Sequence, residues 1–192
     1  MLLLSNSLFG QTIFFERIYD ETLSQASYVI GDAQTKEVIV IDPKRDIDTY
    51  LQIAEKHNLK ITKITETHIH ADFLSGSREL AAVTKAPLYL SDEGGNDWQY
   101  DFPHTGLKDG DKISVGSITI EVIHTPGHTP ESLTFLVKDD TENPIKAITG
   151  DFIFVGDVGR PDLLEKAAGQ IGSQELGAKQ LYRSIEKFLK LP

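Results

Sequence analysis

Residues Val38-Ile39-Val40-Ile41 form an unbroken apolar run that Pro43 soon ends. Successive side chains of a strand point to opposite faces, so four branched aliphatics in a row demand cover on both sides. The run therefore predicts an interior strand rather than the half-wet strand of a simple antiparallel sheet. Its surroundings agree. Residues 12–18 and 27–31 precede it and are rich in strand formers. After it, Asp46 is placed to cap a helix with Ile47, Tyr50, Leu51 and Ala54 in 3.6-residue rhythm, and Asn58 to stop it. Residues 61–65 return as a strand.

Further along, a short helix is expected near residues 76–84 and a strand at 87–90. Residues 91–103 read as a long turn-rich loop. A hairpin through Gly116 joins 113–115 to 117–123, and 132–137 continues it. Residues 147–149 read as a short buried strand, and 174–189 as an amphipathic helix carrying Leu176, Leu181, Tyr182, Ile185, Phe188 and Leu189. Strands first, then strands mixed with helices, favour a layered α/β structure over an all-β barrel.

The 192 residues suit one domain spanning 1–192. A formal net charge of −10 disfavours nucleic acid and anionic membrane as partners. There is no cysteine, which excludes disulfides, a thiol nucleophile and thiolate zinc sites. Any metal must then be held by histidine, carboxylate or other oxygen ligands. The apolar stretch in residues 1–10 is too short for a secretion signal and reads as an ordinary N-terminus. No stretch approaches the roughly 20 apolar residues of a membrane span, so no membrane contact is expected and the cytoplasm is the expected location.

Four of the six histidines fall in two short polar loops, each after an apolar strand. The first reads Thr67-His68-Ile69-His70-Ala71-Asp72-Phe73. In extended backbone His68, His70 and Asp72 share one side, an arrangement that calls for a positive ion between them. The second reads His124-Thr125-Pro126-Gly127-His128-Thr129-Pro130. Its prolines and glycine make a stiff turn that can hold the His128 imidazole in a fixed direction. His124 ends a strand and is read as structural. A third element, Gly150-Asp151, displays a carboxylate after an apolar strand. Two histidines and an aspartate form a set that leaves metal positions open, and both iron and zinc accept it. His57 and His104 are read as bystanders. No nucleophile elbow, phosphate-binding loop or dinucleotide fingerprint is present.

Taken together, these motifs resemble the metallo-β-lactamase superfamily, whose signature runs T-H-x-H-x-D-H, then T-P-G-H-T, then G-D. The resemblance covers nearly the whole chain. It implies an α/β fold of the αββα sandwich type with the metal at one edge of the sheets. Phe73 departs from it: the dinuclear hydrolases carry there a histidine for the second metal. The resemblance therefore implies one metal, held by His68, His128 and Asp151, as in the persulfide dioxygenases. The branch often fused to rhodanese domains is most similar, on T-H-I-H-A-D-F and on residues 150–163.

That branch implies one Fe(II) per chain, with zinc as the alternative, acting on a low-molecular-weight thiol persulfide and O2. His70 and Asp72 would orient ligands and bound species. Arg160 would bind a substrate carboxylate or phosphate, or else a structural partner such as Asp162. The superfamily pattern continues after residue 189 with a further strand and helix, which this chain is expected to lack as a C-terminally truncated domain. The resemblance places any rhodanese partner domain beyond residue 192. A homo-oligomer stays open, since the sequence gives no oligomeric state. Two other readings compete: a thioester hydrolase similar to glyoxalase II, which Phe73 opposes, and a truncated module of weak activity.

Overall fold

The computed structural model describes residues 13–168 and 172–192. The expected ordinary N-terminus over residues 1–10, and the first residue of the expected strand 12–18, lie outside them. The chain opens with an antiparallel meander of β1 (Ile13–Asp20), β2 (Gln25–Asp32) and β3 (Glu37–Ile41). Helix α1 (Asp48–His57) then crosses to β4 (Lys60–Thr65), parallel to β3. Helix α2 (Ser77–Thr84) crosses to β5 (Leu88–Ser91), and β6 (Thr105–Leu107) completes a six-stranded sheet in sequential order. A second, antiparallel sheet holds β7 (Lys112–Val115), β8 (Ile118–His124), β9 (Leu133–Lys138) and β10 (Pro144–Ile148), in the order β10-β9-β8-β7. A small hairpin, β11 (Ile153–Phe154) with β12 (Asp157–Val158), leads to α3 (Leu163–Ala168) and α4 (Ser173–Phe188).

The apolar run behaves as its pattern requires. Val38 and Val40 pack with Tyr50, Ile53 and Ala54 of α1 and Leu80 of α2. Ile39 and Ile41 turn the other way, against Ile120 and Val122 of β8 and Leu133 and Phe135 of β9. One strand thus serves both the helix–sheet and the sheet–sheet interface. Helix α4 docks on the turn after β8: Leu181 lies against Gly127, and Ser184 Oγ donates to the Pro126 carbonyl at 2.7 Å. Gly127 has φ +147, and a Cβ there would overlap Leu181, so no larger residue fits this contact. Among the described residues no helix is long and apolar enough to cross a membrane.

Several local expectations are corrected. Helix α1 begins at Asp48 after Ile47 and has no side-chain cap, so Asp46 does not cap it. Asn58 does end it, in the left-handed conformation at φ 53. The long loop 91–103 gives its first residue to β5 and contains a 3-10 turn at Asn96–Trp98. The strand expected as buried over 147–149 is instead β10, with only Ile148 buried, because it lies at the sheet edge. Strand β6, the β11–β12 hairpin and α3 are too short to leave a periodic signal.

The chemistry-bearing residues follow the C-terminal ends of β3, β4, β8 and β10. That placement depends on the shared core between the sheets. Ile39→Ala is expected to lower unfolding stability by about 2–5 kcal/mol. Urea denaturation reads this directly, and a loss below about 1 kcal/mol would contradict the two-faced packing of β3.

Candidate metal centre

Asp42 terminates β3 and is buried, with its backbone in the left-handed region at φ 54. Aspartate tolerates that region better than most residues, at some cost. The strain is offset by hydrogen bonds. Asp42 Oδ1 accepts the Thr67 backbone N–H at 2.6 Å, and Oδ2 accepts the Thr67 hydroxyl at 2.8 Å. The Thr67 hydroxyl has one proton, which goes to the carboxylate. It must therefore accept from His68 Nδ1–H, 2.9 Å away. This fixes the His68 tautomer and leaves the Nε2 lone pair free.

That lone pair faces Asp151. His68 Nε2 lies 4.0 Å from Asp151 Oδ2, and His128 Nε2 lies 3.7 Å from the same oxygen. Each of the three residues offers a ligand atom within 4.8 Å of the others. Two ligands on one ion at ~2.0–2.1 Å lie at most about 4.2 Å apart. Both carboxylate–imidazole separations satisfy this limit, so Asp151 can share an ion with either imidazole. Gly150 makes the approach possible: its φ is +49, and a Cβ there would overlap the Thr67 side chain. Phe152, next to Asp151, is buried against Phe188 of α4 with ring centroids 5.8 Å apart.

Charge supports the same reading. Burial, reinforced by the charges of His70 and His128, holds the His68 imidazole well below its usual value. Burial also lowers His128, against the pull of Asp151. Both rings are thus kept neutral, the form that ligates metal. Burial raises Asp151, which His128 and His70 partly counter.

His70 does something different from His68. The two rings lie 4.1 Å apart between centroids, but His70 Nε2 turns to Asp42 Oδ1 at 3.2 Å and Glu66 Oε2 at 3.3 Å. Burial alone would lower His70; the two carboxylates outweigh it and hold the ring well above its usual value. Phe73 packs on its other side at 4.4 Å. Asp72, which the extended-chain argument grouped with these histidines, is exposed at the rim of a cavity of about 400 Å³ that also reaches His70 and Asp151. The loop is not uniformly extended, so the three side chains do not converge. Arg160 is exposed and makes a two-pronged pair with Asp162, at 3.1 and 2.7 Å. His124 Nε2 donates to the Pro130 carbonyl at 2.8 Å and braces the second loop. His57 and His104 lie outside the cluster.

Three buried acids escaped the sequence reading. Asp42 and Glu66 flank His70, and the three form a second group with metal-like spacing. Glu131 is fully buried; its Oε1 accepts the Ile69 N–H at 2.7 Å and the Thr129 hydroxyl at 3.0 Å, tying the two histidine loops together. The available signal was an acidic residue directly after an apolar strand, as at Asp42 and Glu66.

The sequence profile described as the metallo-beta-lactamase superfamily matches residues 21–191. The chain belongs to the metallo-β-lactamase superfamily. Within that superfamily it is 48% identical to a metallo-beta-lactamase from Staphylococcus aureus of known crystal structure, with a TM-score of 0.89 over 94% of this chain and 54% of that one. It is 30% identical to ETHE1 from Myxococcus xanthus, with a TM-score of 0.76 over 93% of this chain and 71% of that one. The mitochondrial persulfide dioxygenase ETHE1 of Bos taurus is 28% identical over 192 residues, covering 95% of this chain and 66% of its own length. The chain thus spans just under two thirds of that relative and about half of the Staphylococcus aureus protein. Its superfamily relatives include the persulfide dioxygenase branch.

A pH dependence follows from the neutral His68. Its pKa lies below the unfolded value of about 6.5, so the unfolded chain binds more protons. The stability it contributes is present above about pH 6.5 and is lost as pH falls. His70, held above its usual value, works in the opposite sense, so the comparison with a variant isolates His68. Between pH 7 and 5 the urea midpoint of metal-free wild type is expected to fall more, or rise less, than that of His68→Asn. Equal changes in the two would contradict the buried neutral imidazole.

Proposed function

We propose that the chain is the catalytic module of a persulfide dioxygenase, with one Fe(II) held by His68, His128 and Asp151. The observation that carries the reading is the Phe73 ring packed on His70 beside that triad. Phenylalanine offers no ligand where dinuclear hydrolases place one for a second metal, which disfavours thioester hydrolysis. The relation to persulfide dioxygenases supports the substrate class. Zinc has no redox chemistry, so the oxygenase reading selects iron.

The reaction is RS–SH + O2 + H2O giving RSH and sulfurous acid, released as sulfite. The outer sulfur gives up four electrons and dioxygen takes four. Both atoms of dioxygen and the oxygen of water end on that sulfur, the S–S bond breaks, and the thiol leaves with a proton. Fe(II), when bound, supplies adjacent open positions and the electrons that start this oxidation.

The protein's own groups do the rest. Thr67 holds His68 with Nε2 forward. His70, ion-paired to Asp42 and Glu66, fixes the loop beneath the triad. Asp72, exposed at the cavity, is placed to orient the incoming persulfide and to accept its proton. For Arg160, the fork on Asp162 supports the structural of its two roles.

Iron-loaded protein is expected to consume oxygen when given glutathione persulfide, with one sulfite formed per O2 in an oxygen electrode. Hydrolysis of a glutathione thioester without oxygen uptake, and no uptake with the persulfide, would overturn the assignment.

A further inference from the structure

The cavity that reaches His70 and Asp151 has two further walls. One is the β11–β12 hairpin, with Ile153, Phe154 and Val155. The other is the β1–β2 ribbon, with Arg17, Tyr19, Gln25 and Tyr28. Strand alternation sets Arg17 and Tyr19 opposite Phe14 and Ile18, which pack into the helix-side core. The Arg17 guanidinium carbon lies 4.6 Å from the centroid of the Tyr19 ring. A guanidinium stacked in this way is oriented without spending its N–H donors. Among the described residues Arg17 makes no ion pair, and it is the only lysine or arginine on the cavity lining.

Charge balance gives this arginine meaning. Asp42, Asp72 and Asp151 line the same cavity, and the chain as a whole carries −10. An anionic ligand would be repelled unless a cation met it locally. Gln25 supplies a second, independent observation. Its side chain is 6% exposed and its Nε2 donates to the Asp42 carbonyl at 2.6 Å, yet its Oε1 has no partner among the described residues. A buried acceptor without a donor is costly, and an N–H from a ligand would satisfy it.

We propose that Arg17 is a specificity-determining residue: it binds the anionic tail of the thiol carrier, a carboxylate or a phosphate, while the persulfide end lies toward Asp151. Gln25 Oε1 accepts an amide N–H from the same carrier. This assignment rests on the persulfide reading above.

The test compares wild-type, Arg17→Gln and Arg17→Lys iron-loaded protein on three persulfides. These are glutathione persulfide (carboxylates), coenzyme A persulfide (phosphates) and mercaptoethanol persulfide (uncharged). In Arg17→Gln the ratio of kcat/KM for an anionic carrier to that for the uncharged one is expected to fall by about ten- to a hundredfold, the size of one charge-assisted hydrogen-bond pair. The loss should sit mainly in KM, and Arg17→Lys should recover part of it. A fall with glutathione alone identifies a carboxylate; a fall with coenzyme A alone identifies a phosphate. An unchanged ratio for both anionic carriers overturns the proposal.

Calorimetric binding of S-methylglutathione and S-methyl coenzyme A tests Arg17 apart from turnover. Tighter binding of either to wild type than to Arg17→Gln supports the site even if no persulfide is oxidised. Equal binding of both, or binding of neither to wild type, overturns it.

Discussion

The Asp42 carboxylate is the interaction on which the rest of the site depends. It joins the end of β3 to the end of β4 through the backbone and the hydroxyl of Thr67. It also meets His70 Nε2 at 3.2 Å, and the same nitrogen lies 3.3 Å from Glu66 Oε2. Through Thr67 it decides which nitrogen of His68 carries the proton. A strand end would normally fray into solvent, and its polar groups would find water. Here they are buried, so each must be matched inside the protein. The left-handed backbone of Asp42 is retained because several hydrogen bonds over-determine it.

Burying Asp42, Glu66 and Glu131 under one site is expensive in free energy. His70 supplies one balancing charge, and the backbone N–H of Ile69 supplies a donor to Glu131. The arrangement gives rigidity. Glu131 fastens one histidine loop to the other, and the Leu133 N–H to Thr67 carbonyl bond at 2.7 Å adds a second tie. From outside, α4 braces the turn that carries His128 and the ring beside Asp151. Three side chains from three separate strand ends are thereby held in a geometry that one ion can complete.

The sequence made the frame of this molecule readable because its core signals are strong. The run 38–41 announced a two-faced strand, and the helical rhythm after it located α1 to within about two residues. The two histidine loops and Gly150-Asp151 were visible because polar residues at the ends of apolar strands stand out. Whether His68, His70 and Asp72 would act together was not legible. Alternation along a strand predicted a shared side, but the loop bends, and Asp72 ends up exposed while His70 faces two acids. Asp42 comes from 28 residues away and Glu66 from four residues before His70, just ahead of the loop. A hydrogen-bond network of that kind is set by tertiary contact, not by local pattern. Arg17 was missed for the same reason, since nothing in β1 by itself links it to a cavity shared with Asp151.

Among the described residues two groups have metal-like spacing, His68–His128–Asp151 and Asp42–Glu66–His70. Only the first is proposed to bind metal, because in the second Asp42 and Glu66 hold the His70 ring well above its usual value, which favours the protonated form that does not ligate. Anomalous diffraction at the iron edge, from crystals grown without oxygen in the presence of Fe(II), separates the two. The predicted result is one peak per chain, about 2.0–2.2 Å from His68 Nε2, His128 Nε2 and a carboxylate oxygen of Asp151. A second peak, or a single peak among Asp42, Glu66 and His70, would contradict it.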